Sequence, residues 1–303
     1  MDDENMIAEK FGRLRSAVIC ALLFGSLACC VGFRTRPQSD SGAAYPLGSL
    51  CLAGSSSMEK VTDALAESFM DRYPDITVTA QFAGSSAGVE AVLNGSADIG
   101  IVSRNLSDEE IHRGVTGYVM ALDGIAVCVD SDNPVAGMTG RQLADVFTGK
   151  IRNWAEMGGG DMPVVLIGRE AGSGTREAFE ELLGISGQCT YANEMDSTGA
   201  VMARITSTPG AIGYVSFDAV SAAARLEGRN SVHCISLDGT EPVAENVRSG
   251  DYPLKRPFLM VTQGELSEQS ELVRLWFCYV YSEEGRSIAQ KAGLVVSDYA
   301  SER

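Results

Sequence analysis

Three short segments combine glycine with serine or threonine, which are residue types that can hold a small anion. Each follows an apolar run and precedes a helical pattern: Gly54-Ser55-Ser56-Ser57, Gly84-Ser85-Ser86-Ala87-Gly88 and Gly172-Ser173-Gly174-Thr175. A helix start carries unpaired N–H groups and the positive end of the helix dipole. Glycine lets a ligand approach the backbone, and serine or threonine adds a hydroxyl donor. One such segment caps a helix, whereas three that converge predict a pocket for a small anion.

An arginine, Arg169, stands just before the third segment. Its planar guanidinium can donate to two oxygens of one oxyanion. The alternative role for Arg169 is a surface salt bridge with Glu170 or Glu177. The third segment is not a nucleotide-binding P-loop, because Thr175 is followed by Arg176 and the Gly-Lys-Ser/Thr ending of such loops is absent.

Catalytic chemistry finds little support in the residue types. The chain has two histidines, His112 and His233, and neither is near a Gly-x-Ser-x-Gly segment, so a serine hydrolase triad is poorly supported. Two histidines also disfavour a zinc hydrolase. A secreted hydrolase with a serine nucleophile is therefore the weaker alternative, and we expect no catalytic residue, no metal and no cofactor.

The elements that must position these segments alternate between strand and helix. The pattern predicts a strand at 50–53, a helix at 58–73, a strand at 76–82, a short helix at 89–94 and a strand at 97–102. This order implies a parallel sheet with helices on its faces, which binds ligands at the carboxyl ends of its strands. Further along, the pattern predicts strands at 122–129, 164–167, 211–215 and 258–262, and helices at 139–148, 176–183, 199–207, 267–281 and 283–292.

The composition sets the size of the fold and excludes one class of partner. The chain has 303 residues, of which 45% are hydrophobic, enough for one large domain or two smaller ones. Its formal net charge of −16 excludes nucleic acid as a partner, because phosphate backbones need a basic surface. Salt screens distant charges over about 8–10 Å, so a local group of donors can still bind an anion.

The N-terminal region has the pattern of an export signal. Basic residues precede an apolar stretch at 16–28, which is too short for a confident membrane-spanning helix. The residues that follow resemble a bacterial lipobox, with Cys29 or Cys30 as the lipidated residue; an ordinary signal peptide or an uncleaved anchor are the alternatives. We expect a signal at 1–30, a flexible tether at 31–46 and a protein anchored by lipid to the outer face of the cytoplasmic membrane.

The cysteines outside the signal show no metal-binding or redox spacing. No Cys-x-x-Cys pair occurs, and we expect buried free thiols. The five positions are Cys51, Cys128, Cys189, Cys234 and Cys278.

The order of the motifs resembles the PstS family, the phosphate-binding proteins of bacterial phosphate ABC importers. The similar strings are Gly54-Ser-Ser-Ser-Met, Gly84-Ser-Ser-Ala-Gly, Ala97-Asp-Ile-Gly-Ile-Val-Ser-Arg104, Leu122-Asp-Gly-Ile-Ala-Val, Phe147-Thr-Gly-Lys-Ile-Arg-Asn-Trp154, Arg169-Glu-Ala-Gly-Ser-Gly-Thr-Arg176, Pro209-Gly-Ala-Ile-Gly-Tyr214 and Tyr252-Pro-Leu-Lys-Arg-Pro257. The resemblance implies an α/β fold of the class II periplasmic-binding-protein type, with two lobes, mainly parallel sheets flanked by helices, and two hinge crossings. It places lobe 1 at 47–128 plus 257–303 and lobe 2 at 129–256.

The resemblance also implies a function and a set of ligands. A monomer would capture inorganic phosphate between the lobes and pass it to the transmembrane subunits of the importer, without catalysis. The implied phosphate ligands are Ser56, Ser57, Ser85, Arg169, Ser173, Gly174 and Thr175, with Ser86, Ser103 and Arg104 as supporting or binding residues. Two departures stand out: Ser103-Arg104 occupies the place where some members have an aspartate acceptor, and Ala171 stands where an acidic partner of the arginine is common.

Phosphate carries a proton at neutral pH, so a selective site needs one acceptor among its donors. We expect Asp123 to be that acceptor, because a buried carboxylate left unpaired by fully ionised sulfate would cost several kcal/mol. The alternatives for Asp123 are a turn residue before Gly124 or a structural partner of Arg104. Other functions left open are binding of sulfate or molybdate and a role as an adhesin or phosphate sensor.

Overall fold

The computed structural model describes the folded body of the chain, which belongs to the compact unit Tyr45–Arg303. The described residues are 46–217, 219–220 and 232–296. The predicted signal, the lipidation site at Cys29 or Cys30 and almost all of the tether lie outside these residues. Within the described residues, no helix is long and apolar enough to cross a membrane.

The strands form one large sheet and one small sheet. They are β1 (Gly48–Gly54), β2 (Ile76–Gln81), β3 (Ile99–Val102), β4 (Val115–Val129), β5 (Gly137–Met138), β6 (Val165–Arg169), β7 (Asn193–Met195), β8 (Ala211–Ser216), β9 (His233–Cys234), β10 (Ser236–Leu237) and β11 (Lys255–Gln263). The large sheet has the order β2-β1-β3-β11-β4-β8-β6-β7, with β9 also paired to β4, and β10 pairs with β5.

The helices lie mostly between the strands, as the alternating pattern predicts. They are α1 (Glu59–Arg72), α2 (Ser85–Leu93), α3 (Asp108–His112), α4 (Gly140–Phe147), α5 (Gly174–Leu182), α6 (Thr198–Ser207), α7 (Ala244–Ser249), α8 (Glu271–Val280) and α9 (Glu283–Lys291). Short 3₁₀ helices occur at Ser56–Met58, Trp154–Met157 and Leu266–Glu268.

The predicted β-α-β-α-β order of the N-terminal part is confirmed. Strand β1 pairs in parallel with both β2 and β3, and α1 and α2 are the intervening helices. Helix α1 buries Val61, Leu65 and Phe69, which recur at helical spacing and therefore share one face. Burial of this apolar face holds the helix against the sheet. It thereby fixes the position of the first glycine-serine segment, which connects β1 to the helix.

Two large hydrophobic cores meet along β4. The first core contains residues from 50–121 and from 258–294, and the second contains 125–254 together with Val295. Strand β4 contributes Ala121 to the first core and Ile125 to the second. We call the parts of the chain around these cores the first half and the second half. Trp154 and Trp276 are buried, one in each core.

Strand β4 begins seven residues earlier than the sequence pattern indicates, at Val115 instead of residue 122. After the buried Val115, its next four residues alternate between partly exposed and exposed, so this part lacks the continuous apolar run that marks residues 125–129. The antiparallel partner of this part is β11, about 140 residues away in the chain, so local periodicity does not reveal the pairing. As a result Asp123 lies inside a long strand, and its interpretation as a turn residue is wrong.

Candidate functional site

The three glycine-serine segments are found at three helix starts, each at the carboxyl end of a strand. Ser55 follows β1 and caps the 3₁₀ helix by accepting from the N–H of Ser57. Gly84 lies after β2, and α2 begins at Ser85. Ser173 follows β6 and caps α5 by accepting from the Arg176 N–H. The predicted position of the segments in the fold is therefore confirmed.

The segments also converge. The N–H of Gly84 donates to the carbonyl of Gly54 at 2.9 Å, and the N–H of Ser86 donates to the carbonyl of Gly172 at 3.1 Å. Gly174 packs so closely that a Cβ built on it would lie 2.2 Å from Oγ of Ser85. Segments from the first half and the second half are thus in direct contact around one point.

A chain of hydrogen bonds links two arginines through three hydroxyl groups at this point. Arg256 Nη1 donates to Thr175 Oγ1 at 2.7 Å, and Thr175 Oγ1 is 2.7 Å from Ser57 Oγ. Ser57 Oγ lies 3.1 Å from Thr198 Oγ1, which accepts from Arg169 Nη1 at 3.4 Å. All five side chains are buried, so the cluster places two cations and three hydroxyls in a site shielded from water.

Arg169 is a buried cation whose closest partners are uncharged. Only 2% of the residue is exposed, and its side chain donates to the carbonyls of Met195 and Asp196 at 3.1 and 2.9 Å. The carboxylate of Glu170 lies 4.0 Å away and is itself 40% exposed. Burial lowers the pKa of Arg169, and the nearby cation of Arg256 lowers it further. Arg169 is buried and therefore not at the surface, as that alternative required; its contact with Glu170 at 4.0 Å is long, and Glu177 pairs with Arg104 instead.

Arg256 is held by Asp123 in a buried ion pair. Asp123 Oδ2 accepts from Arg256 Nε at 3.1 Å and from Nη2 at 2.9 Å, while Oδ1 accepts from the N–H of Phe217 at 3.3 Å. Burial lowers the pKa of Arg256, and attraction to Asp123 acts in the opposite direction. The guanidinium paired with Asp123 is therefore that of Arg256, where the sequence suggested Arg104. Asp123, Arg169 and Arg256 together carry a net charge of +1.

Serines of the first half complete the site. Ser55 Oγ donates to Ser103 Oγ at 2.8 Å, and the N–H of Ser103 donates to Ser85 Oγ at 3.1 Å. Ser56 is 6% exposed, and its Oγ has no hydrogen-bond partner among the described residues. An unpaired buried hydroxyl costs about 1–3 kcal/mol, which a ligand oxygen would recover.

Arg104 takes part in the contact between the two halves. Its guanidinium pairs with Glu110 at 2.8 Å and with Glu177 of α5 at 2.6 Å, and it donates to Ser86 Oγ at 3.2 Å. Ser86 Oγ in turn donates to Glu177 at 3.1 Å. With two carboxylates against it, one from each half, Arg104 has the surroundings of a structural residue that holds the two halves in contact.

Two functional candidates were missed by sequence reasoning, Thr198 and Arg256. Thr198 belongs to a fourth hydroxyl-rich helix start, in which Ser197 caps α6 after β7, and the same signal that marks the other three segments could have found it. Arg256 stands in a string that resembles the family but carries no local sign of burial. Among the described residues, no group of three or more His, Cys, Asp or Glu side chains is arranged to hold a metal ion.

Comparisons with known proteins agree with this architecture. Residues 39–284 match the model of the PBP superfamily domain. The chain is 31% identical over 284 residues to the phosphate-binding protein PstS of Bacillus subtilis, covering 92% of this chain and 91% of that protein. It superposes with a TM-score of 0.75 and 36% identity on a Clostridium perfringens protein with bound phosphate, assigned as a phosphate ABC transporter substrate-binding protein, covering 82% of this chain and all of that one. For an ABC-type phosphate transport receptor of Vibrio cholerae the TM-score is 0.67 and the identity 28%, with the same coverage.

Proposed function

Since the chain belongs to the PstS family of phosphate-binding proteins within the PBP superfamily, we propose that it captures inorganic phosphate between its two halves and delivers it to an ABC importer. The observation that carries this proposal is Arg169, a buried cation whose nearest carboxylate among the described residues, that of Glu170, lies 4.0 Å away, and which donates to Thr198 in the row of hydroxyls. A buried charge is costly unless it is paired, and a tetrahedral anion provides the missing partner.

The proposed ligands are donors from four helix starts and two arginines, with Asp123 as the acceptor of the phosphate proton. Seven or eight such donors, each contributing about 1.5–3 kcal/mol to a charged ligand, exceed the roughly 8 kcal/mol that a micromolar Kd requires. The surplus offsets the cost of ordering the two halves around the ligand. The ligand set is Ser56, Ser57, Ser85, Asp123, Arg169, Ser173, Gly174 and Thr175, extended by Thr198 and Arg256.

We propose that the two halves are lobes, at 47–128 plus 257–303 and at 129–256, which close on the ligand. Their separate hydrophobic cores, joined through β4, support this division. The contact of Ser57 with Thr175 at 2.7 Å and the ion pair of Arg104 with Glu177 cross between the lobes and would form on closure. Binding would then be favoured because a closed pair of lobes satisfies donors from both sides at once.

The same proposal covers the location and the partners of the protein. We expect an exported monomer, anchored by lipid at Cys29 or Cys30, that docks on importer transmembrane subunits and performs no catalysis. The export signal and lipobox pattern of the sequence support the anchor. Relatives named as phosphate-binding and phosphate-transport proteins support the importer partner.

Titration with two tetrahedral anions tests the proposal. We expect isothermal titration calorimetry to give a Kd for phosphate near 1 μM or lower, and sulfate to bind at least about 100-fold more weakly. Phosphate at 100 times its Kd should raise Tm by about 5–10 °C through mass action. Absence of both heat and a Tm shift with phosphate would refute the proposal, and tighter binding of sulfate or molybdate would assign the site to another oxyanion.

The substitution Asp123→Asn tests the proposed acceptor of the phosphate proton. It leaves the buried cation of Arg256 without a carboxylate, so we expect Tm of the ligand-free protein to fall by about 10 °C. We also expect the ratio of sulfate Kd to phosphate Kd to narrow by about tenfold or more, because sulfate, which carries no proton to donate, would no longer face the negative charge of Asp123.

The two readouts separate the possible roles of Asp123. A lower Tm with an unchanged sulfate-to-phosphate ratio would mean that Asp123 only holds Arg256 in place. Asp98→Asn is a suitable control for the loss of a carboxylate, because Asp98 does not belong to the proposed ligand set. Asp98 accepts a hydrogen bond from the N–H of Cys51 in β1 at 2.8 Å.

A further inference from the structure

Two cysteines far apart in the chain lie opposite each other at the end of β4. Strand β9 pairs antiparallel with β4, and the register sets Cys234 directly across from Cys128. Their sulfur atoms are 2.9 Å apart, although 106 positions separate them in the sequence. This arrangement differs from the expected set of separate buried thiols: Cys128 alone among the five is buried, Cys278 is exposed and the others are intermediate.

The pairing geometry of the two strands suits a covalent link. The N–H of Ile235 donates to the carbonyl of Val127 at 3.0 Å, so Val127 and Ile235 form the hydrogen-bonded pair. Cys128 and Cys234 are the next pair along and therefore occupy a non-hydrogen-bonded position. Side chains approach most closely at such positions, where the Cα atoms are about 4.5 Å apart, within the range that a disulfide spans.

The surroundings of the two thiols differ in a way that favours stepwise oxidation. Cys128 is fully buried, whereas Cys234 is partly exposed. Their mutual hydrogen bond, with burial, raises the pKa of Cys128, and the same hydrogen bond lowers the pKa of Cys234. Cys234 is therefore the thiol that an external oxidant reaches and the one that forms a thiolate more readily.

We propose that Cys128 and Cys234 form a cross-strand disulfide in the exported protein. The Cys234 thiolate attacks one sulfur of an external disulfide, forms a mixed disulfide and releases one thiolate. Cys128, losing its proton to solvent, then attacks the Cys234 sulfur and expels the second thiolate. The two cysteines are oxidised by two electrons, and the external disulfide is reduced to two thiols. Disulfides persist in extracytoplasmic compartments, so the proposal relies on export but not on the identity of the ligand.

The bond would link a part of the second half whose strands are very short. Strand β9 has two residues, and the segment that follows it forms the equally short β10 against β5. A link across 106 positions closes a long loop of the unfolded chain, which is the case in which a disulfide stabilises most. The proposed ligand residues lie on other segments, so the affinity for phosphate should not depend on the bond.

Trapping of thiols tests the pair directly. The purified full chain is equilibrated with oxidised glutathione, unfolded in guanidinium chloride with excess iodoacetamide and no reductant, digested and analysed by mass spectrometry. We expect a linked peptide pair containing Cys128 and Cys234, two hydrogens lighter than the reduced peptides, and alkylation at Cys51, Cys189 and Cys278. Alkylation of both Cys128 and Cys234, stable glutathione adducts on them, or a pairing with another cysteine would overturn the proposal.

A stability measurement on variants gives a second readout. We expect dithiothreitol to lower Tm of the wild type by about 5–10 °C. The variant Cys278→Ala, which removes an exposed thiol of α8, should show the same response. Cys234→Ala should show none, and its Tm should match that of the reduced wild type. Equal responses of Cys234→Ala and Cys278→Ala would contradict the assignment, and a phosphate titration run in parallel keeps this result separate from the proposed function.

Discussion

Arg169→Gln should weaken phosphate binding by about 100-fold to 10,000-fold. The wild-type guanidinium can donate at least two charge-assisted hydrogen bonds to the anion, each contributing about 1.5–3 kcal/mol, and tenfold in Kd corresponds to about 1.4 kcal/mol. Glutamine keeps much of the length of the side chain but loses the charge and the fork. Isothermal titration calorimetry with phosphate measures the change.

The stability of the ligand-free variant distinguishes a ligand from a structural arginine. Arg169 is 2% exposed, and no carboxylate among the described residues lies closer to it than that of Glu170 at 4.0 Å. Removal of this buried charge therefore offsets the loss of its hydrogen bonds to the carbonyls of Met195 and Asp196 in the ligand-free protein. We therefore expect Arg169→Gln to keep or raise Tm without phosphate while losing the rise that phosphate causes. Arg169→Lys retains the charge but not the planar guanidinium, so its phosphate Kd should lie between those of the wild type and Arg169→Gln. A marked loss of Tm together with an unchanged Kd would show that Arg169 serves the fold and not the anion.

The sequence was most informative where each element carries its own periodicity. The order of elements from β1 to β3 follows from local patterns, because α1 has an apolar face at helical spacing, β1 and β3 contain short apolar runs, and β2 alternates between apolar and polar residues. The glycine-serine segments could likewise be located, since a helix start is signalled by residues within a few positions of it. Between β1 and β3 the errors lie only at the ends of elements: α2 begins at Ser85, four residues earlier than predicted.

What the sequence could not reveal depends on contacts between distant residues. Arg256 and Asp123 are 133 positions apart, and neither has a local feature that identifies the other as its partner. The pairing of Cys128 with Cys234 has the same cause, because antiparallel register is set by the fold and not by spacing. Thr198 is different, because its serine-threonine-glycine helix start can be recognised in the sequence. It was not identified because no apolar strand pattern precedes it.

Gly174→Ala should weaken phosphate binding by about 10-fold to 100-fold, since each 1.4 kcal/mol of lost donor contact corresponds to tenfold in Kd. A Cβ at this position would lie 2.2 Å from Ser85 Oγ and 2.8 Å from Ser103 Oγ, closer than real Cβ contacts allow. The two halves must then stay farther apart, and contacts across them, such as that of Ser57 with Thr175 at 2.7 Å, must lengthen. Donors from the two halves would no longer reach one anion together.

A matched glycine elsewhere in the site separates this clash from a general effect of alanine. Gly199 lies in the first turn of α6 beside Thr198, just as Gly174 lies in the first turn of α5 beside Thr175. A Cβ built on Gly199 meets nothing within 4 Å. We expect Gly199→Ala to leave the phosphate Kd within about twofold, because alanine favours the helix and blocks no contact. Both variants should keep Tm of the ligand-free protein, since alanine is a better helix former than glycine. Equal losses of affinity in the two variants would mean that closure does not depend on the contact between Gly174 and Ser85, and the site would have to bind its anion in a more open arrangement.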